Sequence, residues 1–177
     1  MIAVNGINRI NFAAMALKRT IYLCIGGNLG EREANLEETL MFLEFNFGDI
    51  MAVSSVYESD AWGMQDAPRF LNQVVCIESE LSNEELLTEI AELEEFYGRE
   101  RSDEEYLSRE MDVDVLMIDQ EVIDEDKLKV PHPRMEMRRF VLEPLQEIAP
   151  DLIHPVFQKT VSALLSECTD NTKLSKV

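Results

Sequence analysis

Between Thr20 and Ile118 the chain passes twice through strand, helix and strand, and few folds accept that order. Thr20–Ile25 is a short apolar run ended by Gly26-Gly27-Asn28, a buried strand running into a turn. Leu36, Leu40, Leu43 and Phe47 then recur at helical spacing, with Glu37, Glu38 and Glu44 off that stripe. Glu31 and Glu33 near the start of this helix suit its dipole, and Gly48-Asp49 ends it. Ile50–Tyr57 and Phe70–Glu78 read as the second and third strands, with Glu58–Arg69, which holds Gly63 and Pro68, as the loop between them. Ser82-Asn83-Glu84-Glu85 is a capping box, and the helix it opens buries Leu86, Leu87, Ile90 and Leu93 before Gly98 stops it. The fourth strand begins at Asp112. The order β-α-β-β-α-β predicts an α+β class fold, a ferredoxin-like α/β sandwich with an antiparallel sheet and both helices on one face.

The C-terminal third adds to that core. Two short strands are expected within Val122–Val130, an extended loop at Pro131-His132-Pro133, and helices over Met135–Ile148 and Val161–Leu165. Residues 1–19, where Asn5, Asn8 and Asn11 interrupt any apolar run, read as an extension; residues 20–168 form a single domain and 169–177 a polar tail. A chain of 177 residues suits one domain. Its formal net charge of −19 argues against broad nucleic-acid binding, which needs Lys and Arg on phosphates, yet leaves room for a local basic pocket that takes a small anion. Cys24, Cys76 and Cys168 are widely spaced and read as reduced thiols, which points to a cytoplasmic setting. No apolar run is long enough to span a membrane, and a monomer is expected.

The chemistry concentrates around Asp112-Val113-Asp114. Alternation places Asp112, Asp114, Leu116 and Ile118 on one face of the strand and Val113, Val115 and Met117 on the other. Same-face neighbours stand only ~7 Å apart, so the two carboxylates repel unless water or a cation lies between them; hard oxygen ligands favour Mg²⁺. Arg99, Arg101 and Arg109 precede the pair, and Arg134, Arg138 and Arg139 follow His132. Interleaved acids make a solvated, salt-bridged face one reading of these arginines, and a polyphosphate site is the other, with the metal bridging oxygens and guanidinium groups neutralising the rest. His132, stiffened between two prolines, is a candidate phosphate donor. Trp62, Phe70, Asn72 and Phe140 supply aromatic walls and an amide that could read the edge of a flat heterocycle. Gly26-Gly27-Asn28-Leu29-Gly30 lacks the endings of a P-loop or a dinucleotide fingerprint and reads as a tight turn.

From about Ile21 to Leu165 these pieces resemble the 6-hydroxymethyl-7,8-dihydropterin pyrophosphokinases of folate biosynthesis. The resemblance is carried by I-G-G-N-L-G (25–30), S-S-V-Y-E-S (54–59), F-L-N-Q-V-V (70–75) and E-x-x-x-G-R-x-R (94–101), then by R-E-M-D-V-D-V-L (109–116), V-P-H-P (130–133) and R-R-F-V-L-E-P-L (138–145). It implies an ATP-dependent diphosphotransferase: the pterin hydroxymethyl oxygen attacks the β-phosphorus of ATP and AMP leaves. It further implies Asp112 and Asp114 on two Mg²⁺ ions and Arg99 and Arg109 on the phosphates near the transition state. His132 and Arg138 would also touch ATP, and Glu94 and Val115 would lie along the nucleotide. Phe140 and an aromatic of the 99–109 loop would stack on the pterin, with Asn72 on its edge and Ser59, Asp60, Trp62 and Phe70 lining the pocket. The chain departs from the family pattern in three places. Leu107-Ser108-Arg109-Glu110 replaces Gly-Pro-Arg-Thr, the preceding loop is acidic with Tyr106 in place of a Trp, and Ala91 stands where a Gln is common. The acidic loop raises one competing expectation, a catalytically weakened relative that binds nucleotide or pterin; a different two-metal phosphoryl hydrolase is another. A purely structural module would leave the carboxylates, arginines and His132 without a purpose.

Overall fold

The structure, a computed structural model, describes residues 17–63, 66–98 and 108–177. Strand β1 (Arg19–Gly27) leads into helix α1 (Arg32–Asn46), followed by β2 (Asp49–Val53), β3 (Tyr57–Ser59) and β4 (Phe70–Ser79). Helix α2 (Asn83–Phe96) and β5 (Asp112–Ile118) complete the repeated pattern. In the six-stranded sheet β1 lies between β4 and β5, antiparallel to both, and β2 pairs with the outer side of β4. Each helix therefore crosses over one intervening strand, which is the ferredoxin-like topology expected from the element order. The stretch read as one strand over Ile50–Tyr57 is divided: β2 ends at Val53, and β3 re-pairs with β4 further along, Tyr57 opposite Asn72. Ser54 makes the break, because its hydroxyl accepts the Val74 N–H at 2.9 Å where a strand backbone would have accepted it.

Both faces of the central strands β1 and β4 are buried. Leu23, Ile25, Val75 and Ile77 face Leu36 and Leu43 of α1 and Leu86, Ile90 and Leu93 of α2. On the opposite face, Cys24, Val74, Leu116 and Met117 meet Val141, Leu142 and Leu145 of α3 (Arg139–Ile148) and Val161 and Leu164 of α4 (Val161–Glu167). That second cover explains why β1 and β4 are buried along most of their length rather than on alternate residues. Strict alternation fails in β5. Tyr22 faces Met117 and the next residue, Leu23, faces Val115, so Leu116 is an extra residue in the ladder. The bulge moves Met117 to the α3 face and Ile118 to the α1/α2 face, the reverse of the parity read from sequence.

Short strands Ile123–Asp124 (β6) and Lys129–Val130 (β7) pair as expected, and Ile153–His154 (β8) pairs with Lys159–Thr160 (β9). Packed contacts reach further towards both ends than periodicity indicated. Lys18 pairs with Asp49 and Glu78 at 2.8 and 2.9 Å, and the segment read as a polar tail carries β10 (Leu174–Lys176), antiparallel to β3. Among the described residues no helix is long and apolar enough to cross a membrane.

The capping box at Ser82 forms as its sequence predicts. The Ser82 hydroxyl accepts the Glu85 N–H, and the Glu85 carboxylate accepts the Ser82 N–H at 2.8 Å. Ser82→Ala should cost about 1 kcal/mol, seen as a lower urea midpoint at unchanged slope; an unaltered midpoint would show that the cap contributes nothing.

Candidate active site

The site lies on the α3 face of the sheet, at the end where β1 and β5 meet the loops. Asp112 and Asp114 of β5 stand opposite Gly26 and Cys24 of β1, and across β1 Gly26 faces Asn72 of β4. At two strand spacings of about 4.8 Å, the carboxylate pair and the Asn72 amide are roughly 10 Å apart. Gly26 keeps the way between them clear. A Cβ there would sit 2.6 Å from the Leu71 carbonyl and 2.7 Å from Asn72 Oδ1. The Asn72 amide nitrogen donates to the Ser59 hydroxyl at 2.9 Å, and both residues are buried.

Each carboxylate has a cation beside it. Arg109 Nη1 donates to Asp112 Oδ1 at 2.6 Å, and Arg138 Nη1 to Asp114 Oδ2 at 3.3 Å. Arg138 is 7% exposed, and its buried Nε–H has no hydrogen-bond partner among the described residues. A buried donor of this kind is costly unless a ligand satisfies it. The Trp62 and Phe140 rings lie 5.0 and 5.6 Å from the Arg138 guanidinium carbon, within cation–π range.

The Leu116 bulge also places His132, whose N–H donates to the Leu116 carbonyl at 2.9 Å. His132 Nδ1 accepts the Arg134 N–H at 3.2 Å, so the proton of the neutral ring is assigned to Nε2, which points at Asp114 Oδ2 3.8 Å away. Burial, then the Arg138 and Arg134 charges, lower its pKa to about 4, only partly opposed by Asp112. His132 is thus a neutral N–H donor at pH 7. Burial, with Asp114 alongside, pushes the Cys24 thiol well up, so it stays protonated beneath the carboxylates.

Asn28, read only as part of a tight turn, fixes the backbone of Arg109. Its Oδ1 accepts the Arg109 N–H at 2.9 Å, and its own N–H donates to the Arg109 carbonyl at 2.9 Å. Its amide nitrogen donates to the Ser108 hydroxyl at 3.0 Å and to the Pro68 carbonyl at 3.1 Å. Beside it, a Cβ on Gly27 would fall 2.0 Å from the Glu110 carbonyl oxygen. Gly-Gly-Asn is turn chemistry in any fold, so its sequence carries no sign of this second task.

Of the residues expected at the site, Arg109, Asp112, Asp114, His132 and Arg138 converge around the carboxylates, and Ser59, Asn72, Trp62 and Phe140 lie on the neighbouring side. Asp60 accepts from Arg69 Nε at 3.1 Å, and half-buried Phe70 faces Ser59 across the β3–β4 ladder. Glu94 at the end of α2 accepts the Val113 N–H at 3.3 Å. The Val115 side chain packs into the α1/α2 core, away from the carboxylate face. Arg99, Arg101, Tyr106 and Leu107 lie outside the described residues.

The carboxylate pair suits Mg²⁺ in one respect and not another. Among the described residues no third His, Cys, Asp or Glu completes a protein-only cage. Mg²⁺ characteristically binds through one or two carboxylates plus substrate phosphates and water, which is the arrangement this donor set allows.

The fold is that of a pterin pyrophosphokinase domain in larger proteins. The Plasmodium falciparum HPPK-DHPS wild type with pterin and p-hydroxybenzoate superposes with a TM-score of 0.67 at 16% identity, over 85% of this chain and 43% of that one. The A437G protein with STZ-DHP gives 0.69 at 14% identity, over 88% and 46%. The chain thus spans less than half the length of those proteins, and at such identities the likeness is one of fold. Sequence comparison goes further. The family model described as 7,8-dihydro-6-hydroxymethylpterin-pyrophosphokinase (HPPK) matches residues 22–150. The 2-amino-4-hydroxy-6-hydroxymethyldihydropteridine pyrophosphokinase of Aquifex aeolicus is 39% identical over 150 residues, 85% of this chain and 92% of that protein. The Bacillus subtilis protein of the same name is 39% identical over 128 residues, 72% and 76%. The chain belongs to the HPPK family.

The His132 environment has a consequence for stability. Its folded pKa of about 4 lies below the ordinary 6.5, so the unfolded chain takes up the proton first as pH falls. The stabilisation is present above pH 6.5 and is lost between there and pH 4. For metal-free protein the loss should be on the order of 3 kcal/mol. His132→Gln should flatten the curve of urea midpoint against pH in that window; parallel curves for the two proteins would contradict the assignment.

Proposed function

We propose that the chain transfers the pyrophosphoryl group of ATP to the hydroxymethyl oxygen of 6-hydroxymethyl-7,8-dihydropterin, releasing AMP, in folate biosynthesis. The observation that carries this reading is the spacing across the sheet: a carboxylate pair with arginine and histidine donors, and roughly 10 Å away a buried amide with aromatic rings. The names of the Aquifex and Bacillus relatives support the same reaction.

Asp112 and Asp114 are the residues to hold Mg²⁺, in our reading two ions, which when bound would neutralise the triphosphate and polarise it for attack. Arg109, Arg138 and the neutral His132 donate to phosphate oxygens, and the buried Arg138 Nε–H, without a partner among the described residues, is a donor available to them. Arg99 would add a further guanidinium. Asn72, backed by Ser59, reads the donor and acceptor edge of the pterin, while Trp62, Phe140 and Phe70 offer it apolar surface. The hydroxyl oxygen forms a bond to the β-phosphorus as the bond from that phosphorus to the α,β-bridging oxygen breaks. The hydroxyl loses its proton, Asp114 being the candidate acceptor. Catalysis is then mostly positioning and charge neutralisation. Small-molecule substrates, a cytoplasmic setting and a monomer complete the proposal.

Incubation with ATP, the hydroxymethyl pterin and Mg²⁺ should yield AMP and pterin pyrophosphate in equal amounts. Binding of both substrates without AMP would mark a weakened relative, and inorganic phosphate released without pterin would mark a hydrolase. Asp112→Ala should lower turnover at least about 10²-fold while the unfolding free energy from urea titration changes by no more than about 1 kcal/mol, since its ion pair with Arg109 is partly exposed. Normal turnover in that variant would refute the metal assignment.

A further inference from the structure

The segment after α4 ties together the two sides of the aromatic–amide pocket. On one side, Asp170 Oδ2 accepts the N–H of Arg139, the first residue of α3, at 2.9 Å, while its Oδ1 accepts the Thr172 N–H and hydroxyl at 2.9 and 2.6 Å. This holds the turn from which Arg138 and Phe140 project. On the other side, the Lys173 carbonyl accepts the Asp60 N–H at 3.3 Å, and β10 then runs along β3 with Leu174 opposite Ser59 and Lys176 opposite Tyr57. The Val177 N–H closes the ladder on the Val56 carbonyl at 3.0 Å. Glu147, at the far end of α3, accepts from Lys176 Nζ at 3.0 Å, Tyr57 Oη at 3.0 Å and the Ser55 hydroxyl at 2.9 Å. These donors hold the Glu147 carboxyl below its ordinary pKa against the opposing effect of burial.

A strand of three residues is weak on its own. β3 keeps its place because β4 lies on one side and β10 on the other. Ser59, Asp60 and Trp62 therefore hang from an element that β10 completes, while Arg138 and Phe140 hang from a helix start that Asp170 holds. We propose that residues 170–177 are a brace that sets the width of the heterocycle slot, making Asp170 and the β10 backbone positioning elements for pterin recognition. The inference rests on reading that slot as the pterin site. A displacement of about 1 Å in a binding group can cost on the order of 10²-fold in rate, so a slot assembled from two independent elements gains from a tie between them.

The test uses full-length variants and two titrations: an ATP analogue with a methylene in place of the α,β-bridging oxygen, with Mg²⁺, and then the pterin in its saturating presence. The Lys173 carbonyl and the Val177 N–H both face β3, so by strand periodicity the Ser175 N–H does too. Ser175→Pro removes it and leaves the Asp170 contact intact. Its pterin Kd should rise about tenfold or more while its Kd for the analogue stays within about twofold. Asp170→Ala should weaken both ligands, because Arg138 shifts with Phe140, and Asp170→Asn, which keeps an acceptor for Arg139, should recover most of the loss. Lys176→Glu, a surface change that turns the Glu147 contact repulsive, should shift pterin affinity in the same direction and serves if Ser175→Pro does not fold. Asn72→Ala marks the pocket itself and should lose the pterin. Wild-type pterin affinity in Ser175→Pro and Lys176→Glu, with Asn72→Ala impaired, would overturn the brace and leave the pocket standing. Equal losses of both ligands in the β10 variants would reduce the segment to general stability and overturn it too. Undiminished binding by Asn72→Ala would remove the pocket reading and the brace with it.

Discussion

Two carboxylates on one strand face, two residues apart, are the constraint from which the site follows. At ~7 Å and an effective dielectric near 20, their repulsion is about 2 kcal/mol. A fold would shed that cost by substituting either residue unless the charges were useful. Here the surroundings are built around keeping both: Arg109 from the preceding turn lies against Asp112, and Arg138 from the start of α3 lies against Asp114. The Leu116 bulge supplies the carbonyl that holds His132 over the same pair. The strand register then sets what else is within reach, since Gly26 opposite Asp112 leaves the surface open towards Asn72.

The local turn chemistry serves the same end. Asn28 binds the Arg109 backbone in both directions and the Pro68 carbonyl besides, so one buried amide aligns the 66–69 loop with the entry to β5. This bears on the departure from the family pattern at Leu107-Ser108-Arg109-Glu110. Ser108 accepts from Asn28 through its hydroxyl at 3.0 Å, a contact a proline in that position lacks. Near Gly30, the Glu110 carboxyl lies 3.4 Å from where a Cβ would stand, beside the turn and α1. The altered hinge is thus anchored through side chains as well as backbone, and Arg109 still reaches Asp112.

Much of this was legible in the sequence. The element order is enough to define the sheet topology, because each helix linking parallel strands must cross an antiparallel one between them. The capping box located α2 to within a residue, since its two reciprocal hydrogen bonds demand that spacing. What escaped has physical reasons. An inserted residue such as Leu116 is invisible to an argument from a period of two, which is why Met117 and Ile118 were assigned to the wrong faces. Leu-Ser-Lys in β10 is too short to display alternation, and its strand state comes entirely from pairing with β3. Asn35 and Thr39 share the buried stripe of α1 with leucines, because Tyr97 meets that face with its hydroxyl, donating to the Asn35 carbonyl at 3.1 Å. Candidate residues were legible where charge sat against pattern, as with Asp112 and Asp114, and were not where a side chain holds backbone, as Asn28 holds Arg109 and Asp170 holds Arg139.

Everything proposed for the site turns on whether Asp112 and Asp114 hold the metal that a triphosphate brings with it. The most direct measurement is a crystal structure with Mn²⁺ and a non-hydrolysable ATP analogue, read by anomalous scattering. Manganese peaks are expected about 2.1 Å from carboxylate oxygens of both residues, with Arg109 and Arg138 turned from the carboxylates towards phosphate. A bound triphosphate whose metal peaks lie away from both carboxylates, with the arginine–aspartate pairs unchanged, would contradict the metal assignment.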